Sequence, residues 1–168
     1  AAGELRALQP TEADALEGLW LFDQQRLPQS AAAFESALRR YREDPWATRF
    51  IMRRALRALP ELVLRDPSLL PRLYAATATP FASYALNEDR LSTLLNLAAS
   101  RGDYALCQDA LAQLGPHGLW HEPFLRWRLA CYQHTHQAAL SRSAQHDLDK
   151  FLAHTHEKTL LRFLPAEQ

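Results

Sequence analysis

Isoleucine and valine are almost missing: Ile51 and Val63 are the only residues of their kinds in 168. The apolar set is nearly all leucine and alanine, which starves a β-sheet of its usual branched residues and points to helix. Glycine is scarce as well. Five glycines leave no phosphate-cradling loop and no dinucleotide fingerprint, and no Gly-x-Ser-x-Gly nucleophile elbow occurs. Two cysteines, Cys107 and Cys131, cannot build a disulfide framework. Each falls on an apolar helical face and reads as a small core residue. Because their helices flank one loop, a disulfide becomes possible if the protein is exported; a cytoplasmic setting is the expectation. No apolar run reaches the ~18 residues of a membrane helix, so no membrane insertion is expected. Formal net charge is zero, so no global field draws nucleic acid or an anionic bilayer.

What remains is a globular balance, 48% hydrophobic and 23% charged, suited to one helical domain over 1–168. Met52 is the only methionine and no leader precedes Ala1, so the chain reads as a domain of a longer polypeptide. Apolar residues recur three and four apart through most of it. Thr11, with Asp14 three residues on, predicts the cap of a helix through Leu16, Leu19 and Trp20 that stops near Gln25. Pro28 opens a second, through Phe34, Ala37, Leu38 and Tyr41. A third runs from Pro45 through Phe50, Ile51, Ala55 and Leu59, to be kinked or ended by Pro60. Short helices are expected over 67–77 and 80–86, each led by proline. Better ones start at Asn87 or Asp89, after Asp103, and over 123–135. A last one carries Leu140, Ala144, Leu148 and Leu152. Residues 115–118 read as a loop and the end after Phe163 as a frayed tail.

Two stretches are alike. Residues 18–38 carry Gly18, Leu21, Phe34 and Ala37; residues 94–114 carry Leu94, Gly102-Asp103-Tyr104, Cys107, Leu111 and Leu114. Both resemble the tetratricopeptide repeat, a helix–turn–helix unit of about 34 residues. Leu125, Leu129, Tyr132 and Leu148 fit a further unit. The resemblance implies units over 11–44, 88–121 and 122–155, an irregular helical middle over 45–87 and a tail over 156–168. One hairpin cannot bury its own apolar face, so neighbours must stack into a short α-solenoid; an irregular helical bundle is the alternative. In that family the first helix of each unit lines a groove. Carried over, this implicates Glu12, Ala15, Leu19 and Phe22, then Asp89, Ser92 and Asn96, then Arg126, Ala130 and Gln133. Asn96 falls where some members hold a peptide's terminal carboxylate, while Ser92 stands in place of the accompanying basic residue. Leu19 and Phe22 suggest an apolar pocket.

Charge is unevenly spread. Arg39, Arg40, Arg42, Arg49, Arg53, Arg54 and Arg57 are accompanied only by Glu43 and Asp44. Arg49, Arg53 and Arg57 form one stripe at four-residue steps. Each like-charge pair costs an isolated helix roughly 0.2–0.5 kcal/mol. Acidic side chains from a neighbouring helix, or an acidic partner, must offset it. All seven histidines lie between His117 and His156, including His134-Thr-His136 and His154-Thr-His156. Residues two apart on a helix point about 200° apart, so such a pair chelates only at a helix end. No catalytic residues, metal or cofactor are assigned. The reading is an all-α, non-catalytic docking or scaffold module whose partner is another protein, a peptide or a neighbouring domain, and not nucleic acid. The groove is assigned to Leu19, Phe22, Ser92, Asn96, Arg126 and Gln133, and the basic face to Arg49, Arg53 and Arg57. The alternatives are a regulatory helical domain appended to an enzyme and a metal- or ligand-binding helical bundle.

Overall fold

The computed structural model describes residues 2–114 and 119–161, with side chains for 5–114 and 119–155. The expected loop at 115–118 and the expected end after Phe163 lie outside the described residues. Every regular element among the described residues is helical, as a leucine- and alanine-rich chain demands. The chain forms two compact units, 1–110 and 111–168.

The first unit holds α1 (Ala2–Leu8), α2 (Pro10–Asp23), α3 (Leu27–Tyr41), α4 (Arg49–Arg65), α5 (Leu70–Ala78), α6 (Asn87–Ala99) and most of α7 (Tyr104–Leu114). Single 3-10 turns at Pro67–Leu69 and Tyr84–Leu86 lead into α5 and α6. Helix α4 packs on α2 and on α6; α3 packs on α2 and α5, and α5 on α6. So α2, α4 and α6 form one row, with α3 and α5 behind it. The core between them includes Phe34, Leu38, Met52, Leu56, Leu59, Leu62, Leu73, Leu94 and Leu97, all fully buried.

The α2–α3 crossing is close because Gly18 has no side chain. A Cβ there would stand 2.6 Å from Cδ1 of Phe34. The buried Ser30 hydroxyl donates to the Gly18 carbonyl at 2.8 Å, tying the helices at that point. Thr11 is not the cap of α2. Pro10 already occupies the first turn, and the Thr11 hydroxyl donates instead to Asp44 at 2.8 Å.

Three helices end in the same way. After α2, Gln25 N–H donates to Phe22 O and Arg26 N–H to Leu21 O. After α6, Gly102 and Asp103 donate to Ala99 and Ala98. After α8 (Glu122–His134), His136 and Gln137 donate to Gln133 and Tyr132. Each is the paired bond set of a Schellman motif, which needs a left-handed residue just past the helix. Gln25, Gly102 and His136 supply it, with φ of 58°, 63° and 57°.

Helix α4 departs from expectation at both ends. It begins at Arg49, where buried Glu12 accepts the Thr48 N–H at 2.7 Å. It then runs through Pro60 to Arg65. An internal proline costs about 3 kcal/mol. Leu62 and Val63, fully buried beyond it, return about 1.5–3 kcal/mol each, so packing carries the helix past the break. The segment 45–87 therefore holds two regular helices, α4 and α5, joined through the turn at Pro67–Leu69. Two arginines satisfy the carbonyls at the end of α5. Arg42 donates to Ala76 O at 2.7 Å. Arg90 donates to Ala78 O at 2.8 Å and Thr77 O at 3.1 Å, while Asn87 Oδ1 accepts from the same guanidinium. The expected helix over 80–86 is reduced to its last turn.

In the second unit α8 packs on α9 (Ala138–Leu161). Phe124, Leu125 and Cys131 of α8 and Ala144 and Leu148 of α9 are buried. Arg128 pairs with Asp147 across it. His121 caps α8, its Nδ1 accepting the Phe124 N–H.

Candidate functional site

The parallel run of α4 and α6 leaves a solvent-open groove of about 600 Å³ between them, within the usual range of ligand clefts. From α4 it is lined by Arg53, Leu56, Arg57, Pro60, Glu61 and Leu64. From α6 come Asp89, Ser92, Thr93, Asn96, Ala99 and Ser100. The helical period explains the selection: Arg53, Arg57, Pro60 and Leu64 recur three and four apart on α4, as do Asp89, Ser92 or Thr93, Asn96 and Ser100 on α6. Buried Leu56 and Thr93 form the floor, and Leu64 stays 62% exposed on the rim.

Polar groups in the groove divide into those already engaged and those left open. Arg53 Nε donates to Asp89 at 2.9 Å, pairing α4 with α6. Thr93 donates to Asp89 O and Ser100 to Leu97 O, each within its own helix. Arg57, Glu61, Ser92 and Asn96 have no such partner among the described residues, and no ion pair forms between Arg57 and Glu61. The rim therefore offers a guanidinium, an amide, a hydroxyl and a carboxylate. This set can bind a polar chain but holds no nucleophile–base pair.

Repeat register points to Ser92 and Asn96, and charge spacing to Arg53 and Arg57. The structure brings all four together. Arg49, the remaining member of the stripe, is exposed in the first turn of α4 and has no ion-pair partner among the described residues. Elsewhere the wider arginine cluster is dispersed: Arg40 pairs with Asp14 and Arg42 with the end of α5.

The apolar pocket assigned to Leu19 and Phe22 is not open. Phe22 is 8% exposed, with the Arg65 guanidinium 4.2 Å over its ring. Leu19 is half-buried, Ala15 is in the core, and Glu12 is buried in its cap to Thr48. Where α2 was expected to line a groove, α4 covers that face. Arg126, Ala130 and Gln133 stand on α8 in the second unit, apart from the α4–α6 groove residues in sequence, and Arg126 pairs with Glu122. The groove residues that sequence reading does not reach are Leu56, Pro60, Glu61, Leu64, Thr93, Ala99 and Ser100. A helix ending at Pro60 left Glu61 and Leu64 no face to occupy.

Among the described residues no group of three or more His, Cys, Asp or Glu side chains stands together to hold a metal. His117 and the side chain of His156 lie outside them. His154 lines a smaller cleft of about 280 Å³ with Trp120, Lys150, Phe151 and Thr155, and its Nδ1 is 2.8 Å from Lys150 O. Cys107 and Cys131 are buried free thiols. No helix among the described residues is long and apolar enough to cross a membrane. No family model matches the sequence, and no curated protein or solved structure matches it.

Proposed function

We propose that this chain is a non-catalytic docking module whose α4–α6 groove takes up a peptide segment of a partner protein. The observation that carries the reading is the groove itself: open to solvent, floored by buried Leu56 and Thr93, and rimmed by Arg57, Ser92 and Asn96 with no side-chain partner among the described residues. Unspent donors above an apolar floor are what a binding surface has and a merely solvated face does not need.

The helix packing supports the same reading: the α2–α3 hairpin and the rows α2–α4–α6 and α3–α5 favour a stack of helical units. The shared Schellman turn strengthens it, since Gly102 and His136 stand one tetratricopeptide period apart, about 34 residues. In a degenerate solenoid of this kind, docking follows from the surface left between first helices, an inference by fold analogy that the groove chemistry makes specific.

The test fills the groove. Random dodecapeptides selected against the wild-type chain are titrated by fluorescence anisotropy against wild type and Ser92→Trp, whose indole occupies the cleft at a half-buried position on α6. Binding should weaken at least about ten-fold, roughly 1.4 kcal/mol. Selected peptides that bind Ser92→Trp as tightly as wild type would overturn the assignment.

A further inference from the structure

Resting on the docking reading, we infer that the segment seated between α4 and α6 is acidic. A side-chain carboxylate of the partner peptide pairs with the Arg57 guanidinium, and its main chain bonds to the Asn96 amide.

Folding leaves part of the positive charge on α4 without a close partner. Four arginines, at positions 49, 53, 54 and 57, crowd the first half of α4, and no acidic residue stands in its first turn. Helix ends of that polarity disfavour cations, and the four-residue spacing sets like charges beside each other. Folding offsets part of this. Arg53 finds Asp89, and Arg54 lies 5.9 Å over the Phe50 ring. Neither Arg57 nor Arg49 has an ion-pair or hydrogen-bond partner among the described residues. Of these two, Arg57 lines the groove. A guanidinium presents a planar fork that matches a carboxylate, so an acidic side chain is the complement it selects. Asn96, four residues beyond Ser92 on the facing helix, can donate and accept at once, which suits a peptide main chain rather than a second charge.

A polyphosphate chain fits the same groove poorly. Glu61 and Asp89 line it together with the arginines, and a backbone with a phosphate at every step cannot avoid both. No aromatic side chain lines the groove to stack a base. A peptide places its carboxylates selectively.

Two octapeptide pools test this on the whole chain by anisotropy. One is degenerate in Asp, Glu, Leu, Ala and Ser; the other replaces Asp and Glu with Asn and Gln. The acidic pool should bind wild type about ten-fold tighter, and salt should erode that advantage. Arg57→Gln should abolish the preference and Arg57→Lys restore part of it. The exposed position keeps both variants folded, checked by unchanged thermal melts. If both pools bind wild type equally and Ser92→Trp excludes both, docking stands and the acidic occupant is wrong. If Ser92→Trp changes neither titration, the groove reading falls, and the inference with it. An acidic preference that survives Arg57→Gln overturns the carboxylate contact. Inorganic polyphosphate that displaces the acidic pool at equal charge makes the occupant a polyanion. Self-association lost in Ser92→Trp makes it a second copy of the chain. Either result overturns the proposal.

Discussion

Replacing Gly18 with alanine tests how tightly the first hairpin is built. The new Cβ would meet Cδ1, Cε1 and Cγ of Phe34 at 2.6, 2.7 and 3.0 Å. Ordinary carbon contacts begin near 3.5 Å, so ring and methyl must part by nearly 1 Å. The ring cannot swing aside: Phe34 is fully buried, with Ala31, Ala37 and Leu38 beside it on α3 also in the core. Overpacking of this kind costs about 1–3 kcal/mol, and the tight contact places Gly18→Ala at the upper end. Against it, alanine improves a helix interior by about 1 kcal/mol over glycine. The net is a loss of about 1–2 kcal/mol, which for a chain of this size lowers Tm by roughly 2–8 °C. Urea titration followed by circular dichroism measures it directly. A double variant isolates the cause, because Phe34→Leu creates room for the methyl. Gly18→Ala with Phe34→Leu should then lose less than the sum of the single losses by at least about 0.5 kcal/mol. Strict additivity, or a Gly18→Ala protein as stable as wild type, would show that the helices do not cross at this distance.

Two further outcomes follow from buried polar groups. Arg90, 2% exposed, closes the end of α5, and its burial lowers the pKa of the guanidinium. Arg90→Met should cost about 2–4 kcal/mol, since it strands two main-chain carbonyls and the Asn87 side chain. A urea midpoint within error of wild type would mean that those carbonyls do not depend on it. Alkali should also unfold the protein through its tyrosines. Burial first, then Glu12, Asp14 and Asp44, raises the Tyr41 phenol above its ordinary 10.0, and no described group accepts its proton. Burial and the hydrogen bond to Asp109 do the same for Tyr74. The folded state keeps these protons where the unfolded chain releases them. Stability is therefore complete below pH 10 and declines above it, by about 1.4 kcal/mol per pH unit for each tyrosine. Urea midpoints taken across that range should fall less steeply in Tyr41→Phe; an unchanged slope would refute the linkage.

Much of this architecture is written in local pattern. Leucine and alanine at helical spacing place α3, α6, α7 and α8 to within a few residues, because amphipathic periodicity is a property of the chain alone. Gly102 marks its turn because glycine adopts positive φ freely. Gln25 and His136 adopt the same φ without any such mark. Their conformation is held by the paired bonds of the turn, which residue type does not reveal. Pro60 misleads for a related reason: its local cost is real, and buried neighbours distant in sequence offset it.

Composition and periodicity settle that the chain is helical, roughly where its helices lie, and that α4 carries more positive charge than a helix tolerates unaided. Packing decides the rest. Only the contact of α4 with α6 joins Arg57 to Ser92 and Asn96, and only Asp89 across that contact determines which arginine is neutralised and which remains. The contact of α2 with α4 likewise closes the face of Phe22, by laying Arg65 over its ring. Periodicity says which face of a helix is apolar, whereas which two faces meet depends on side chains far apart in sequence.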